Sequence, residues 1–388
     1  MLESKKDNTS AGNRNLLTRK VVSRELSDPF ELALAFLASK KFLQSVKDPS
    51  GSYRKVWGFA PMAEKMTENL LAVWKNSTAG KLGNVKYIEE VSEKTGTEYF
   101  IEMFDQENQK VPCGFSRVLA VKDKYFSTDR FIFHSPASPK LMLEYTTVPS
   151  LAKDMLMTWL DFIVEFMEKL GVSSDHLDIE YQKLEDHPES DHFFFDRYSI
   201  KNNFLFGHEE IATVSNKIDF EFENYDKRFP DEKKQKCFVK DEYRNTEGFP
   251  YVIEVMIDVN RFVLAAILNN FHQENIRTSV ITTLKFSPQL APVKCAVFPL
   301  SIVDKKTREA ADRIYKDLSK LFETAYDEKS TLEMRTVQYD ELGVPFYITV
   351  DPDLADSGLF TLHDNIFGTR ADMDQDDIAE YIISKIDE

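Results

Sequence analysis

Cysteine is scarce: Cys113, Cys237 and Cys295 stand far apart in a chain of 388 residues. That spacing excludes a disulfide framework and a cysteine-based zinc site, and it fits a reducing, intracellular setting. Glycine is sparse too, with 13 residues. None are grouped as a P-loop, a dinucleotide fingerprint or a G-x-S-x-G elbow. No run approaches the ~18 apolar residues of a membrane span, so no membrane partner is expected. Basic residues are outnumbered, 49 Lys and Arg against 65 Asp and Glu, for a net charge of −16. A protein that coats nucleic acid by charge alone is excluded.

Histidine gives no metal site. His187 and His192 lie among Asp186, Glu189 and Asp191 and read as a polar strand entry. The run Asp372, Asp374, Asp376 and Asp377 lacks the glycine and terminal glutamate of a calcium loop. It reads as the acidic start of a last helix, favoured by the helix dipole. Lys233, Lys234 and Lys236 sit beside Asp231 and Glu232 and read as a solvated loop. No metal and no cofactor are expected.

What is abundant is core-forming material: 42% hydrophobic residues, including 30 Phe. The length suggests two or three domains. Residues 1–28 are polar and lack the apolar stretch of a secretory signal. They read as a disordered tail in preference to an organellar targeting segment, which Glu3 and Asp7 disfavour.

Helices are expected over Pro29–Leu43, Pro61–Trp74 and Leu151–Leu170. In the last, Met155, Trp159, Phe162, Phe166 and Leu170 repeat at helical spacing and Gly171 ends the run. Lys81–Tyr145 reads as strand-rich, with strands at Tyr99–Met103, Ser116–Val121, Phe131–His134 and Leu141–Tyr145. Asp191–Phe222 reads as further strands, Asp231–Arg244 as a loop, Tyr251–Met256 as a strand and Arg261–Phe271 as a helix. Beyond Thr283, Pro288 and Pro292 bracket a short linker. Strands at Lys294–Pro299, Phe346–Val350 and Leu359–His363 then alternate with helices at Lys306–Glu323, Leu332–Leu342 and Asp376–Ile386. That alternation predicts a small α/β domain with a mostly parallel sheet. The expected class is α+β: an antiparallel sheet body with helices, followed by a C-terminal α/β domain.

Several segments carry a family resemblance. Leu290-Ala-Pro-Val-Lys-Cys-Ala-Val-Phe-Pro-Leu300 and Asp340-Glu-Leu-Gly-Val-Pro-Phe346, running into Tyr347–Asp351, resemble the anticodon-binding domain of glycyl-tRNA synthetase. Tyr251–Glu254 through Asn260-Arg261 to Leu268 resembles the third signature motif of class II synthetases. Phe206–Ile211 to Phe220 resembles the strand region of the family's glycine pocket, and Val56-Trp57 with Pro61–Trp74 the dimer-forming first motif. The resemblance implies residues 29–283 as a class II synthetase-like core and 284–388 as an anticodon-binding-like domain. It implies a homodimer through Met62, Met66, Leu70 and Trp74, which alternatively read as ordinary core. It places Glu210, Glu254, Lys217 and Arg261 in a substrate pocket inherited from the family.

The departures shape the functional expectation. Lys122-Asp123-Lys124-Tyr125 stands, by register, where the family holds an ATP-binding Arg. Met256 and Asp258 replace a Ser and a Gly, Thr213 replaces a Gly, and Lys217 replaces an Arg. These changes predict a degenerate ATP site and no catalysis. The accessory subunit of mitochondrial DNA polymerase gamma also resembles this family. The expectation is therefore a non-catalytic processivity subunit, mitochondrial or viral, bound to a family-A-like DNA polymerase catalytic subunit and weakly to primer–template DNA. Lys40, Lys41, Arg54 and Lys55 are the candidate DNA-facing cations. The alternative is a tRNA-binding or translation-regulating synthetase paralogue, with Lys294, Lys305, Lys306 and Arg308 as a basic edge. An active glycyl-tRNA synthetase ranks behind both.

Overall fold

The computed structural model describes residues 29–46, 56–81, 84–89, 94–107, 110–121, 138–183, 194–228, 237–276, 279–355 and 357–388. Helix α1 (Pro29–Ser39) opens on proline, whose fixed φ suits a first helical position. A two-stranded ribbon, β1 (Leu43–Val46) with β2 (Val56–Phe59), leads into the long α2 (Pro61–Lys81).

The body is built on one sheet. Its strands are β3 (Val85–Tyr87), β4 (Cys113–Val121), β5 (Ser138–Thr147), β6 (Leu177–Lys183), β7 (Asp196–Phe204), β8 (Gly207–Asn216) and, beyond the small hairpin β9 (Val239–Asp241) and β10 (Thr246–Gly248), β11 (Tyr251–Asp258). The spatial order is β3-β4-β5-β11-β8-β7-β6. Every pair is antiparallel except β3 with β4. Helix α3 (Gly96–Glu107) precedes β4, α4 (Ala152–Lys169) follows β5, α5 (Phe220–Arg228) follows β8, and α6 (Val259–Asn269) follows β11. A hairpin, β12 (Phe271–Ile276) and β13 (Ser279–Leu284), completes the body.

Alternation along the central strands divides the sheet's faces. Leu141, Leu143, Ile253, Val255 and Ile257 join one core with α4 and α6. That stripe of α4 includes Leu156, Trp159, Ile163, Phe166 and Met167, all buried. Gly171, at φ +86°, takes the left-handed turn that ends α4. Met66, Leu70 and Trp74 of α2 are wholly buried in this same core, and Met62 packs against it. Their surface is spent inside the chain, so ordinary core describes Met66, Leu70 and Trp74, and a subunit contact through them does not.

The C-terminal domain runs β14 (Cys295–Pro299), α7 (Lys305–Leu318), β15 (Thr324–Tyr326), α8 (Leu332–Asp340), β16 (Phe346–Val350), α9 (Pro352–Ala355), β17 (Leu359–Asp364), β18 (Thr369–Asp374) and α10 (Gln375–Asp387). Its sheet order is β15-β14-β16-β17-β18. Strand β14 is parallel to both neighbours, and β17 and β18 are antiparallel, so the sheet is mixed and not mostly parallel. Strand β18 escaped the sequence pattern because it is a polar, exposed edge. The acidic run divides by role: Asp372 accepts a hydrogen bond from Thr361, and Asp374 caps α10 by accepting from the Asp377 amide.

The segment between the domains is packed. Leu284, Phe286, Leu290 and Ala291 belong to the body's core. Asn69 of α2 donates to the carbonyls of Leu290 and Ala291 at 3.3 and 3.0 Å. Tyr99–Met103, expected as a strand, lies in α3. Thr95 and Glu98 form a capping box, with the Thr95 amide 2.7 Å from Glu98 Oε2 and the Glu98 amide 3.2 Å from Thr95 Oγ1. The expected strand at Phe131–His134, the pair His187 and His192, and Lys233, Lys234 and Lys236 lie outside the described residues.

Candidate functional site

The face of the sheet opposite α4 and α6 is polar at its centre. Residues at i and i+2 of a strand share a face, so Lys140, Met142 and Glu144 of β5 line up with Glu254, Met256 and Asp258 of β11. Register places Glu254 beside Glu144, Met256 beside Met142 and Asp258 beside Lys140. On the other side of β11, Ser215 pairs with Glu254 and Thr213 with Met256. Arg117 of β4 stands opposite Met142.

Two carboxylates and two cations form the inner cluster. Glu144 is 5% exposed and accepts from Arg117 Nη2 at 3.2 Å and from the Gly96 amide at 2.6 Å. Burial pushes its carboxyl up to about 7, with Arg117 opposing and Glu254 adding repulsion. Lys217, just past the end of β8, places its ammonium 2.8 Å from Glu254 Oε2 and 3.7 Å from Glu221 Oε1. Burial pulls that lysine down, but the charge and hydrogen bond of Glu254 outweigh it and leave it raised. Gly96 is needed by close approach: a Cβ there would lie 2.5 Å from Glu144 Cδ.

The outer cluster lies toward β7 and α6. Glu210 accepts from Arg197 Nη2 at 2.8 and 2.7 Å and from Ser199 Oγ at 2.5 Å. Arg261, half exposed, donates to the Glu210 carbonyl at 2.7 Å. Asp258 caps α6 by accepting from the Arg261 amide at 2.9 Å and pairs with Lys140. Its charge, expected to repel a nucleotide, is matched by a lysine and used to start a helix.

Of the four pocket residues read from the sequence, Glu254 with Lys217 and Glu210 stand on this face, and Arg261 reaches the Glu210 carbonyl from the first turn of α6. The sequence reading missed Arg117, Glu144, Arg197 and Gly96. The signal for Glu144 was present: one acid within Lys140-Leu-Met-Leu-Glu-Tyr, at the period of an otherwise apolar strand. Among the described residues no group of three or more His, Cys, Asp or Glu is placed to hold a metal ion. No described helix is long and apolar enough to cross a membrane.

Of the four cations assigned to nucleic acid, Lys40 and Lys41 are among the described residues. Lys40 pairs with Glu341 of the C-terminal domain. Lys41 lies beyond α1 at φ +63°. Arg54 and Lys55 lie outside the described residues, as does Lys122–Tyr125. Lys294 is 4% exposed and leaves the proposed basic edge. Lys305 and Arg308 are at the surface, beside Glu309 and Glu328.

Comparison with known proteins bears on the whole face. Residues 294–385 match the anticodon binding domain family. The chain is 27% identical over 278 residues to a glycine–tRNA ligase of Caldanaerobacter subterraneus, covering 72% of this chain and 58% of the relative. It is 28% identical over 277 residues to a glycine–tRNA ligase of Agathobacter rectalis, covering 70% and 56%. A third, from Clostridium perfringens, is 28% identical over 263 residues, covering 66% and 54%. The chain thus spans less than two thirds of each of these relatives. It is glycyl-tRNA-synthetase-like and carries an anticodon-binding domain. The expected DNA-polymerase subunit is overturned, because the similarity runs to ligases that act on tRNA. The expected absence of catalysis is overturned as well. The relatives are named as enzymes, and Arg117 adds to the polar face a cation that the sequence reading had not placed there.

Proposed function

We propose that this chain binds tRNA through its C-terminal domain and attaches glycine to it at the polar face of the body's sheet. The observation that carries the reading is the anticodon-binding match over residues 294–385, together with similarity to glycine–tRNA ligases over 72% of the chain. The geometry supports an amino-acid substrate. A zwitterion needs both signs of charge within a few ångströms, and Glu254 with Lys217 and Glu144 with Arg117 supply both. The backbone of Gly96 closes on Glu144 and restricts the volume there, which favours the smallest side chain.

In this reading Glu254 and Glu144 receive the substrate ammonium. Arg261 lies at the outer edge, where cationic stabilisation of a triphosphate is required. ATP is a substrate of the proposed reaction. The test has two arms. ATP–pyrophosphate exchange with glycine is expected above background, and exchange with alanine is not. Filter binding is expected to retain tRNA in preference to a primer–template duplex of equal charge. Retention of the DNA without exchange would overturn the proposal.

A further inference from the structure

Lys294 opens the C-terminal domain, where α2, the connecting segment and the end of α7's following turn converge. It is 4% exposed, and its ammonium has one hydrogen-bond acceptor, the Gln289 carbonyl at 2.9 Å. No carboxylate among the described residues lies within ion-pair distance of it. The acid that acts on it, Glu323, is held by Lys65 of α2 at 2.5 Å, and Lys65 also reaches Glu68 at 3.1 Å. The Lys294 amide donates to the Glu323 carbonyl at 2.8 Å, so the same two residues are joined through the backbone. Gln289 Oε1 is buried without a partner beside this position.

A charged ammonium is costly in such a place unless it is paired. We infer that Lys294 is a proton-operated latch: neutral, it closes the joint between the body and the C-terminal domain, and charged, it loosens it. The groups that face it set the switch. Burial holds Lys294 down at about 7, Glu323 draws its proton back, and Lys65 repels it. Protonation favours transfer of Glu323 from Lys65 to Lys294, which breaks the Lys65–Glu323 tie between α2 and the segment before β15. The sign follows from linkage. Between about 7 and the ordinary value of 10.5 the opened chain binds the extra proton, so closure gains about tenfold per pH unit as pH rises. Below about 7 both states carry the charge and the gain is absent.

Hydrogen exchange of the full chain from pH 6 to 9, corrected for the intrinsic rate, tests this. Protection of the Lys294 and Cys295 amides is expected to rise about tenfold per pH unit above 7, while amides of β11 do not follow. Lys294→Met removes the proton, so protection is expected to be high and flat. Lys294→Arg keeps the charge, so protection is expected to be low and flat. A slope in Lys294→Met equal to that of the native chain overturns the latch. Should Lys294→Arg fail to fold, an NMR titration of the Lys294 ε-methylene in the native chain decides: a midpoint near 7 supports the inference, and one near 10.5 overturns it.

Discussion

Glu144 shows how one side chain ties stability to the candidate site. Its carboxyl is enclosed by Arg117, the Gly96 amide and the neighbouring Glu254, and burial raises it from 4.5 to about 7. Between those values the folded chain holds a proton that the unfolded chain has lost. The group therefore stabilises at low pH, and stability falls as pH rises through the window, by at most about 1.4 kcal/mol per pH unit. Urea unfolding at pH 5.0 and 7.5 is expected to show that loss in the native chain, and Glu144→Gln is expected to flatten it. An equal loss in both proteins would remove Glu144 as the source. Gly96 is the same argument seen from the other side. A methyl group there meets Glu144, so Gly96→Ala is expected to cost about 1–3 kcal/mol by overpacking. In a Glu144→Ala background the clash is gone, and the cost of Gly96→Ala is expected to shrink by more than independent sites allow.

At the scale of the element, helix starts are set by short-range chemistry that can be read directly. Asp258, Asp304, Thr331 and Asp374 each accept an amide three residues on and open α6, α7, α8 and α10. Asp304 is the fullest case, taking the Thr307 amide at 2.9 Å and the Thr307 hydroxyl. Those hydrogen bonds hold its carboxyl below the usual range, so the cap keeps its strength above that range and loses it as pH falls through it. Asp304→Ala is expected to lower the thermal unfolding midpoint at neutral pH, and Asp304→Ser to lower it less. The same chemistry explains a misreading. Thr95-Gly-Thr-Glu98 is a capping box, but the aromatic run Tyr99-Phe100-Ile101 outweighed it and suggested a strand. In the structure Phe100 and Ile101 are buried on the inner flank of the helix, while Glu102 is exposed. Strand β18 was missed for the opposite reason, since an exposed edge strand has no apolar face to announce it.

At the scale of the molecule, the α+β class, the central strands and the charge balance were legible because each depends on local pattern or composition. The arrangement of charges on the sheet was legible only in part. Glu210, Glu254 and Lys217 could be found from their segments, but Arg197, Arg117 and Glu144 meet them only through strand pairing. The joint was not legible at all, because Asn69 and Leu290 are 221 positions apart and no periodicity links them. Phe286 is the pivot of that joint. It is 3% exposed, its ring centroid lies 5.6 Å from that of Phe42 in the body, and Gly343 of the C-terminal domain approaches so closely that a Cβ there would collide with its ring. A cavity of about 280 Å³ already lies beside it, lined by Lys285, Asp340 and Asn365 among others. Removing the ring enlarges a space that the neighbouring backbone cannot collapse to fill, because Gly343 is fixed in a left-handed turn at φ +70°. Phe286→Ala is therefore expected to cost about 3–5 kcal/mol, drawn from both domains at once. Calorimetry distinguishes the consequences. If Phe286 couples the domains, the native chain melts in one transition and Phe286→Ala in two, the body's falling further because its core holds the ring. A single transition merely lowered in temperature would place the residue in the body's core without a coupling role.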